Sequence, residues 1–451
     1  MKLTFYGGAK TVTGSNYLLE SEGTKILVDC GLHQGGYVCE LDNYDPFLYD
    51  PKSIDALFIT HAHIDHIGRV PKLYKEGFRG KIFSTPPAKE FAEELLLDSG
   101  DLLKREAKKC GKEPIYSAED VVGALSLWNT EKYHKEIVVK DIKGSFYDAG
   151  HILGSSSVLI EAEGKKVVFS GDLGNMPAPL IKEYEKIGGI DYAVMESTYG
   201  GRIHEDPAER KALLEDAIED VVQRGGALMI PAFAMERTQE LLYELNGLVE
   251  NGRIPEIPIF LDSPLAIKLT AVYKKYEGDA DYFDKESIDL IKSGDAIFQF
   301  PGLRLTLKTA DSKKIKETPN PKIVIAGSGM SQGGRIVFHE SEYLPDENST
   351  ILFIGYQVKN SLGRRIFEGE NPVTIMGKKV LVRAKVVAIG GYSAHADQIL
   401  LMRWLKPMKE TLKKVYLVHG EEEQMTLLAQ KLKDFMAIDV EIPELEESVE
   451  L

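Results

Sequence analysis

Cysteine is scarce in this chain: Cys30, Cys39 and Cys110 are the only three in 451 residues. Three thiols cannot build a disulfide framework, which argues for a reducing, cytoplasmic setting. No apolar run approaches the roughly 18–20 residues that cross a bilayer, so a membrane-spanning reading is excluded. The opening stretch MKLTFYGGAK lacks signal-peptide architecture and enters a strand-like pattern directly. Internal repeats and low-complexity linkers are missing too. Basic charge is in deficit, with 55 Lys and Arg against 70 Asp and Glu and a net charge of −15. That excludes an indiscriminate polyanion binder but leaves room for a local basic groove.

What is present is the composition of a globular protein, long enough for two or three domains. The first half reads as short strands near residues 2–6, 25–28, 56–59, 81–83, 158–161, 167–169 and 193–195, bounded by Gly, Pro, Asp or Ser. Residues 88–109 predict an amphipathic helix with Phe91, Leu95, Leu102 and Leu103 inward. Its basic run, Lys104, Arg105, Lys108 and Lys109, reads first as a solvated face. After Pro207 longer helices (208–222, 236–248) alternate with strands (227–230, 258–261, 323–326, 351–354), the pattern of a parallel α/β unit. Strand 380–389, helix 398–405, strand 414–418 and helix 422–434 close the chain. The tail 443–451 carries four Glu and no basic residue, a poor RNA-binding extension.

The chemistry is concentrated in histidine. Six of the ten histidines fall in four short glycine-flanked segments. Thr60-His61-Ala62-His63-Ile64-Asp65-His66 leaves an apolar strand, and four potential ligands in six residues have no packing rationale. His61 and His63 can converge on one cation, and Asp65 and His66 can turn to a second. Such a mixed imidazole and carboxylate set suits zinc better than magnesium. One loop cannot fill two coordination spheres, so further ligands are required. They are supplied by His151 between glycines, by Asp172 in Ser170-Gly171-Asp172, a carboxylate able to bridge two metals, and by His419 after the last strand.

With these residues the sequence resembles the metallo-β-lactamase superfamily, whose central motif is matched by His61-Ala62-His63-Ile64-Asp65-His66. The resemblance implies an αββα sandwich over residues 1–200, returning at 372–451. It implies two Zn²⁺ per chain. One would take His61, His63 and His151, and the other Asp65, His66 and His419, with Asp172 between them. Asp29 would orient ligands from behind. Some superfamily members are diiron oxidoreductases with Glu at the second loop position; His63 stands there, which favours hydrolysis.

Glu196-Ser197-Thr198-Tyr199, Pro231-Ala232-Phe233-Ala234 and Ser393-Ala394-His395-Ala396-Asp397 further resemble the β-CASP branch, which processes nucleic acids. Glu196, His395 and His419 match its motifs A, B and C, and an inserted α/β β-CASP domain over residues 201–371 would cap the metals. Histidine at motif C accompanies RNA-processing members. The layout resembles the nuclease subunit of the cleavage and polyadenylation machinery and its short prokaryotic relatives, with ribonuclease J as a cousin. The implied activity is zinc-dependent hydrolysis of RNA phosphodiester bonds through a metal-activated hydroxide, endonucleolytic, leaving 5′-phosphate and 3′-hydroxyl ends. Asp65, Glu196 and His395 are the catalytic candidates, with Asp65 orienting the hydroxide and His395 donating the leaving-group proton. A 5′-to-3′ exoribonuclease, a small-molecule metallohydrolase and a non-catalytic RNA-processing scaffold are the alternatives.

The implied partners are single-stranded RNA and no membrane, with a homodimer or an RNA-processing assembly. The Gly-rich segment around Ser328 and Gly329, between a strand and a helix, offers amides for a phosphate. Arg364, in Asn360-Ser361-Leu362-Gly363-Arg364, is a candidate phosphate contact against a salt bridge. Tyr199 and Phe233 are candidates to stack on bases, or core residues. Cys30 reads as packing. His33, His134, His204 and His339 receive no role.

Overall fold

The computed structural model describes residues 1–35, 42–204, 207–355, 357–358 and 360–451; Cys39 lies outside them. The chain divides into two compact units, one of Met1–Ile203 with His395–Leu451 and one of His204–Ala394.

The first unit holds two seven-stranded sheets. One runs Ser448–Glu450, Lys2–Gly7, Asn16–Ser21, Thr24–Val28, Ala56–Phe58, Lys81–Ser84, Trp128–Thr130. The other runs Val440–Glu441, Lys414–Val418, Tyr192–Glu196, Lys165–Phe169, Ser156–Ala162, Ile142–Asp148, Ile137–Val139. Their inner faces meet through aromatic rings: Phe58 against Phe146 at 6.1 Å, Tyr17 against Phe169 at 5.9 Å, Phe5 against Tyr416 at 5.6 Å. Strand alternation sorts the rest. Along Lys414–Val418, Tyr416 faces the other sheet, while Val415 and Leu417 pack with Trp404, Met425 and Leu428 of the helices Gln398–Leu405 and Glu422–Met436. Both faces of this strand are therefore covered, and its sequence, Lys-Val-Tyr-Leu-Val, is nearly all apolar. The expected αββα sandwich is present.

The predicted helix at 88–109 forms as Pro86–Lys109. Phe91, Leu95 and Leu103 are buried on one stripe, but Leu102 is half exposed, because it lies about 100° round the helix from Leu103. Lys104, Arg105, Lys108 and Lys109 are exposed. Cys110, which ends this helix, is disulfide-bonded, whereas Cys30 is a buried free thiol. Among the described residues no helix is long and apolar enough to cross a membrane.

The second unit is built on a six-stranded, all-parallel sheet in the order Leu303–Leu305, Ile259–Leu261, Lys322–Ala326, Ala227–Pro231, Thr350–Phe353, Lys385–Ala388. Its interior strands are buried along their whole length, as helix-covered parallel strands are. The single strand predicted at 380–389 is two. Lys378–Val380 pairs antiparallel with Val373–Ile375, and Lys385–Ala388 joins the parallel sheet beside Thr350–Phe353. The second unit extends to Ala394.

Asp262 follows the strand Ile259–Leu261 and is fully buried. It accepts from Thr306 Oγ1 (2.7 Å), Ser312 Oγ (2.6 Å), Arg335 Nη1 (2.7 Å) and His339 Nε2 (2.7 Å). Burial opposes its ionisation, yet the His339, Ser312, Thr306 and Arg335 bonds hold its carboxyl down at about 2.

Two outcomes are expected. Phe58→Ala, which empties a site between the sheets, should cost about 3–5 kcal/mol in guanidinium unfolding. The Asp262 carboxyl, depressed when folded, should add roughly 2 kcal/mol above pH 4 that is lost as pH falls through 2. Thermal melts of Asp262→Asn should therefore lose less stability than the parent protein over that acid window.

Candidate metal centre

All the side chains of the site except His395 come from segments that follow strands of the first unit, and His395 lies in the loop before the helix Gln398–Leu405. Phe58 ends one strand, Ile59 continues it through a bond from its amide to Phe83 O (2.8 Å), and Thr60-His61 then turn out of the sheet. His63 stands at the start of the short helix Ile64–Ile67, so Asp65 and His66 are presented by one helical turn. In the other sheet, Lys165–Phe169, Tyr192–Glu196 and Lys414–Val418 are neighbouring parallel strands. Their C-terminal ends carry Asp172, Glu196 and His419. His151 sits in the loop between Ile142–Asp148 and Ser156–Ala162, where its amide donates to Ser155 Oγ (3.0 Å) and the Gly150 amide to Asp148 Oδ1 (2.9 Å).

These loops cross in near contact, which two glycines permit. A Cβ on Gly31 would fall 1.5 Å from Asp65 O, and one on Gly174 would fall 1.6 Å from Gly150 O. Both are impossible for any other residue without moving a ligand-bearing loop.

The ligand atoms form two adjoining groups. His61 Nε2 lies 3.0 Å from His63 Nδ1, and His151 Nε2 lies 3.1 Å from the same atom. Asp172 Oδ2 joins them at 3.4 Å from His61 Nε2 and 3.6 Å from His151 Nε2. The other oxygen, Asp172 Oδ1, faces His66 Nε2 at 3.2 Å and His419 Nε2 at 3.7 Å, with Asp65 Oδ2 3.7 Å from His419 Nε2. Each group can hold one cation, with Asp172 shared between them. The donor chemistry fits. His66 Nε2 and Asp172 Oδ1 are buried with no hydrogen-bond partner among the described residues, a costly arrangement that a cation relieves.

Hydrogen bonds behind these atoms set the rings. Asp29 Oδ2 lies 2.7 Å from His66 Nδ1 and accepts from Thr60 Oγ1 (2.8 Å), while Asp29 Oδ1 accepts the Thr60 amide (2.8 Å). Thr60 Oγ1 is 3.0 Å from His61 Nδ1, and Ser15 Oγ is 2.9 Å from His419 Nδ1. Each ring thus turns its other nitrogen to the centre. Asp29 (φ 57°) and His419 (φ 48°) both occupy the left-handed region, an uncommon conformation for such residues and one that clusters at functional sites.

Burial pulls the His61 imidazole down to about 4 and His151 well below the usual range, which keeps both neutral and able to donate a lone pair. At His66 burial acts the same way, but the Asp172 and Asp29 carboxylates outweigh it and raise its pKa. Burial likewise opposes ionisation of Asp172, and the imidazoles of His419, His66 and His61 overcome it.

Beside Asp172, His395 Nδ1 is 3.3 Å from Glu196 Oε1 and 3.9 Å from Asp172 Oδ2. Glu196 is fully buried, and its Oε1 also accepts the Leu173 amide (2.6 Å). His395 is held by a bridge to Gly174, by the bond from the Ala396 amide to Leu173 O (2.7 Å), and by Asp397, which caps the helix Gln398–Leu405. The Tyr199 ring lies 6.1 Å from that of His395.

The ten residues Asp29, His61, His63, Asp65, His66, His151, Asp172, Glu196, His395 and His419 are therefore brought together. Ser328, Gly329 and Arg364 belong to the second unit. The Ser328 amide donates to Gly333 O, Ser331 to Ser328 O, Gln332 to Ser328 Oγ and Ile336 to Gly327 O, so these amides close the turn on itself. Arg364 pairs with Glu368 one turn along its own helix (2.7 Å), and Phe233 is 40% exposed rather than core. Sequence reasoning missed Ser15, Thr60 and Ser155. Thr60 was legible from its place before His61, whereas Ser15 reaches His419 across 404 residues and leaves no local signal.

Three family models match the chain: the metallo-beta-lactamase superfamily over residues 10–231, the Beta-Casp domain over 238–366, and the Zn-dependent metallo-hydrolase RNA specificity domain over 379–443. A ribonuclease of Thermus thermophilus is 37% identical over 432 residues, covering 96% of both chains. An RNase J-like protein of Methanocaldococcus jannaschii is 31% identical and covers 98% of this chain and 97% of its own. A transcription termination factor of Methanosarcina mazei is 32% identical, covering 97% of this chain and 70% of its own. A crystal structure of a protein of unknown function from Enterococcus faecalis has a TM-score of 0.59 at 13% identity, over 99% of each chain, a likeness of fold.

Asp29→Ala deletes the acceptor for both Thr60 and His66. Competition against a chromogenic chelator should show metal affinity lowered about 10–100-fold, with circular dichroism unchanged.

Proposed function

Because the chain belongs to the β-CASP family of the metallo-β-lactamase superfamily, we propose that it is a metal-dependent ribonuclease that cuts single-stranded RNA internally with two zinc ions. The observation that carries this reading is Asp172, whose two oxygens face two separate donor groups beside the Glu196–His395 pair. His61, His63 and His151 would hold one ion, Asp65, His66 and His419 the other. A donor set dominated by imidazole, with carboxylate oxygens, suits zinc. Bound in this way, such ions lower the pKa of a water and neutralise phosphate oxygens.

The protein's own groups do the rest. Asp65 is the carboxylate placed to accept a hydrogen bond from the attacking water. Glu196 Oε1 takes the Nδ1 side of His395 and orients the ring, so the acid acts from Nε2. The proton passes to the leaving 3′-oxygen, and the products carry 5′-phosphate and 3′-hydroxyl ends. The names of the Thermus and Methanocaldococcus relatives support RNA as the substrate.

The test is cleavage of a 5′-labelled single-stranded RNA by the purified protein with its metal content measured. Internal fragments that fall about 10²–10⁴-fold in rate with His395→Ala are expected. Labelled mononucleotide alone would replace the internal mode with 5′ trimming. No cleavage at two metals per chain would overturn the ribonuclease reading and favour a small-molecule hydrolase or a scaffold.

A further inference from the structure

A cavity of about 310 Å³ in the first unit has Phe47, Tyr49, Arg69, Asp42 and Asp45 among its walls. The chemistry above does not use it. Arg69 is only 6% exposed, and its Nε donates to Gly31 O. Its Nη2 is buried with no hydrogen-bond partner among the described residues. A buried guanidinium N–H without an acceptor is costly, and Arg69 is one of the residues that line this cavity. The apolar wall is aromatic: Phe47 stacks on Tyr49 at 5.2 Å and 30°, and the Arg69 guanidinium lies 5.4 Å over Phe47.

The cavity shares its backbone with the metal-binding loops. The Arg69 amide donates to Cys30 O (2.9 Å) and the Cys30 amide to His66 O (2.7 Å). Tyr49 Oη donates to Asn16 Oδ1 (3.0 Å), and Asn16 Nδ2 donates to Asp29 O (2.7 Å). Whatever enters is therefore held on the same loops that hold Asp29 and His66.

We propose that this cavity is a guanine subsite for the RNA substrate, a proposal that rests on the ribonuclease reading for its polymer but not for its base recognition. Unstacked RNA bases are recognised by stacking on aromatic rings and by hydrogen bonds to their edges. The volume suits one base at the lower limit of small-molecule sites. Guanine alone among the four bases places two N–H donors, N1 and N2, next to an acceptor, O6. Carboxylates of Asp42 and Asp45 answer the donors, and Arg69 Nη2 answers the acceptor, as arginine does for guanine elsewhere. Adenine has one donor group, N6, beside its ring-nitrogen acceptors and so answers only one carboxylate, cytosine's carbonyl would face a carboxylate, and uracil has a single donor.

Isothermal titration of the protein as purified, metals in place, with GMP, AMP, UMP and CMP isolates the base, since the four phosphates are alike. GMP should bind at least about tenfold more tightly than the others. That preference should shrink to about twofold in Arg69→Lys, which keeps a cation but loses the fork. Arg69 also ties down Gly31, so Asp45→Asn, an exposed position, carries the test if Arg69→Lys fails to fold. Sequencing of cleavage ends should show guanine enriched at one fixed offset from the cut. Equal affinities for the four nucleotides, or a preference unchanged in the variants, would overturn the subsite. A protein that cuts RNA yet binds all four alike loses the subsite and keeps the ribonuclease. One that prefers GMP yet cuts nothing keeps the subsite and loses the ribonuclease.

Discussion

Asp172 is the constraint on which the first unit depends. A carboxylate buried to 2% exposure, with Oδ1 lacking any hydrogen-bond partner among the described residues, is tolerable only where positive charge surrounds it. Its two oxygens divide the imidazoles into two sets, His61, His63 and His151 on one side, His66 and His419 on the other. That division fixes where the segments carrying His61–His66, His151, Asp172 and His419 must meet. It also explains why three neighbouring parallel strands deliver their functional residues from the same end: only there do the loops leave the sheet together.

Precision then comes from partners that never meet the centre. Asp29 acts on His66 and Thr60 at once, and Thr60 lies beside His61, so one carboxylate sets two rings. Ser15 does the same for His419. The left-handed backbones of Asp29 and His419 are sustained because each is tied to a neighbouring segment: the Asp29 amide to Phe58 O, the His419 amide to Gly8 O. The energy stored there is small against the cores on either side, the aromatic layer between the sheets and the Trp404 cluster.

Two buried carboxylates illustrate opposite ways of meeting a charge. In the first unit, Asp172 Oδ1 and its neighbour His66 Nε2 have no hydrogen-bond partner among the described residues. In the second, Asp262 collects four donors and completes its shell within the protein. Each arrangement follows the end of a parallel strand, so location in the fold does not separate site from structure.

By itself the sequence determined which chemistry was available. His61, His63, Asp65 and His66 are compressed into six residues whose spacing follows an apolar strand, and the strand 414–418 and helix 398–405 were legible to the residue because apolar runs and caps are local signals. Local signals failed where partners are remote. The division of 380–389 into two strands depends on which sheet edges stand beside each half, and the burial of Leu103 over Leu102 on which side of a helix is covered. Only the tertiary structure decided that Ser15 meets His419 and that Arg69, with an unpaired nitrogen, lines a cavity. The physical reason is common to both: hydrogen bonding and burial are set by distance in space, and a linear pattern carries distance only as far as one helix or one strand extends.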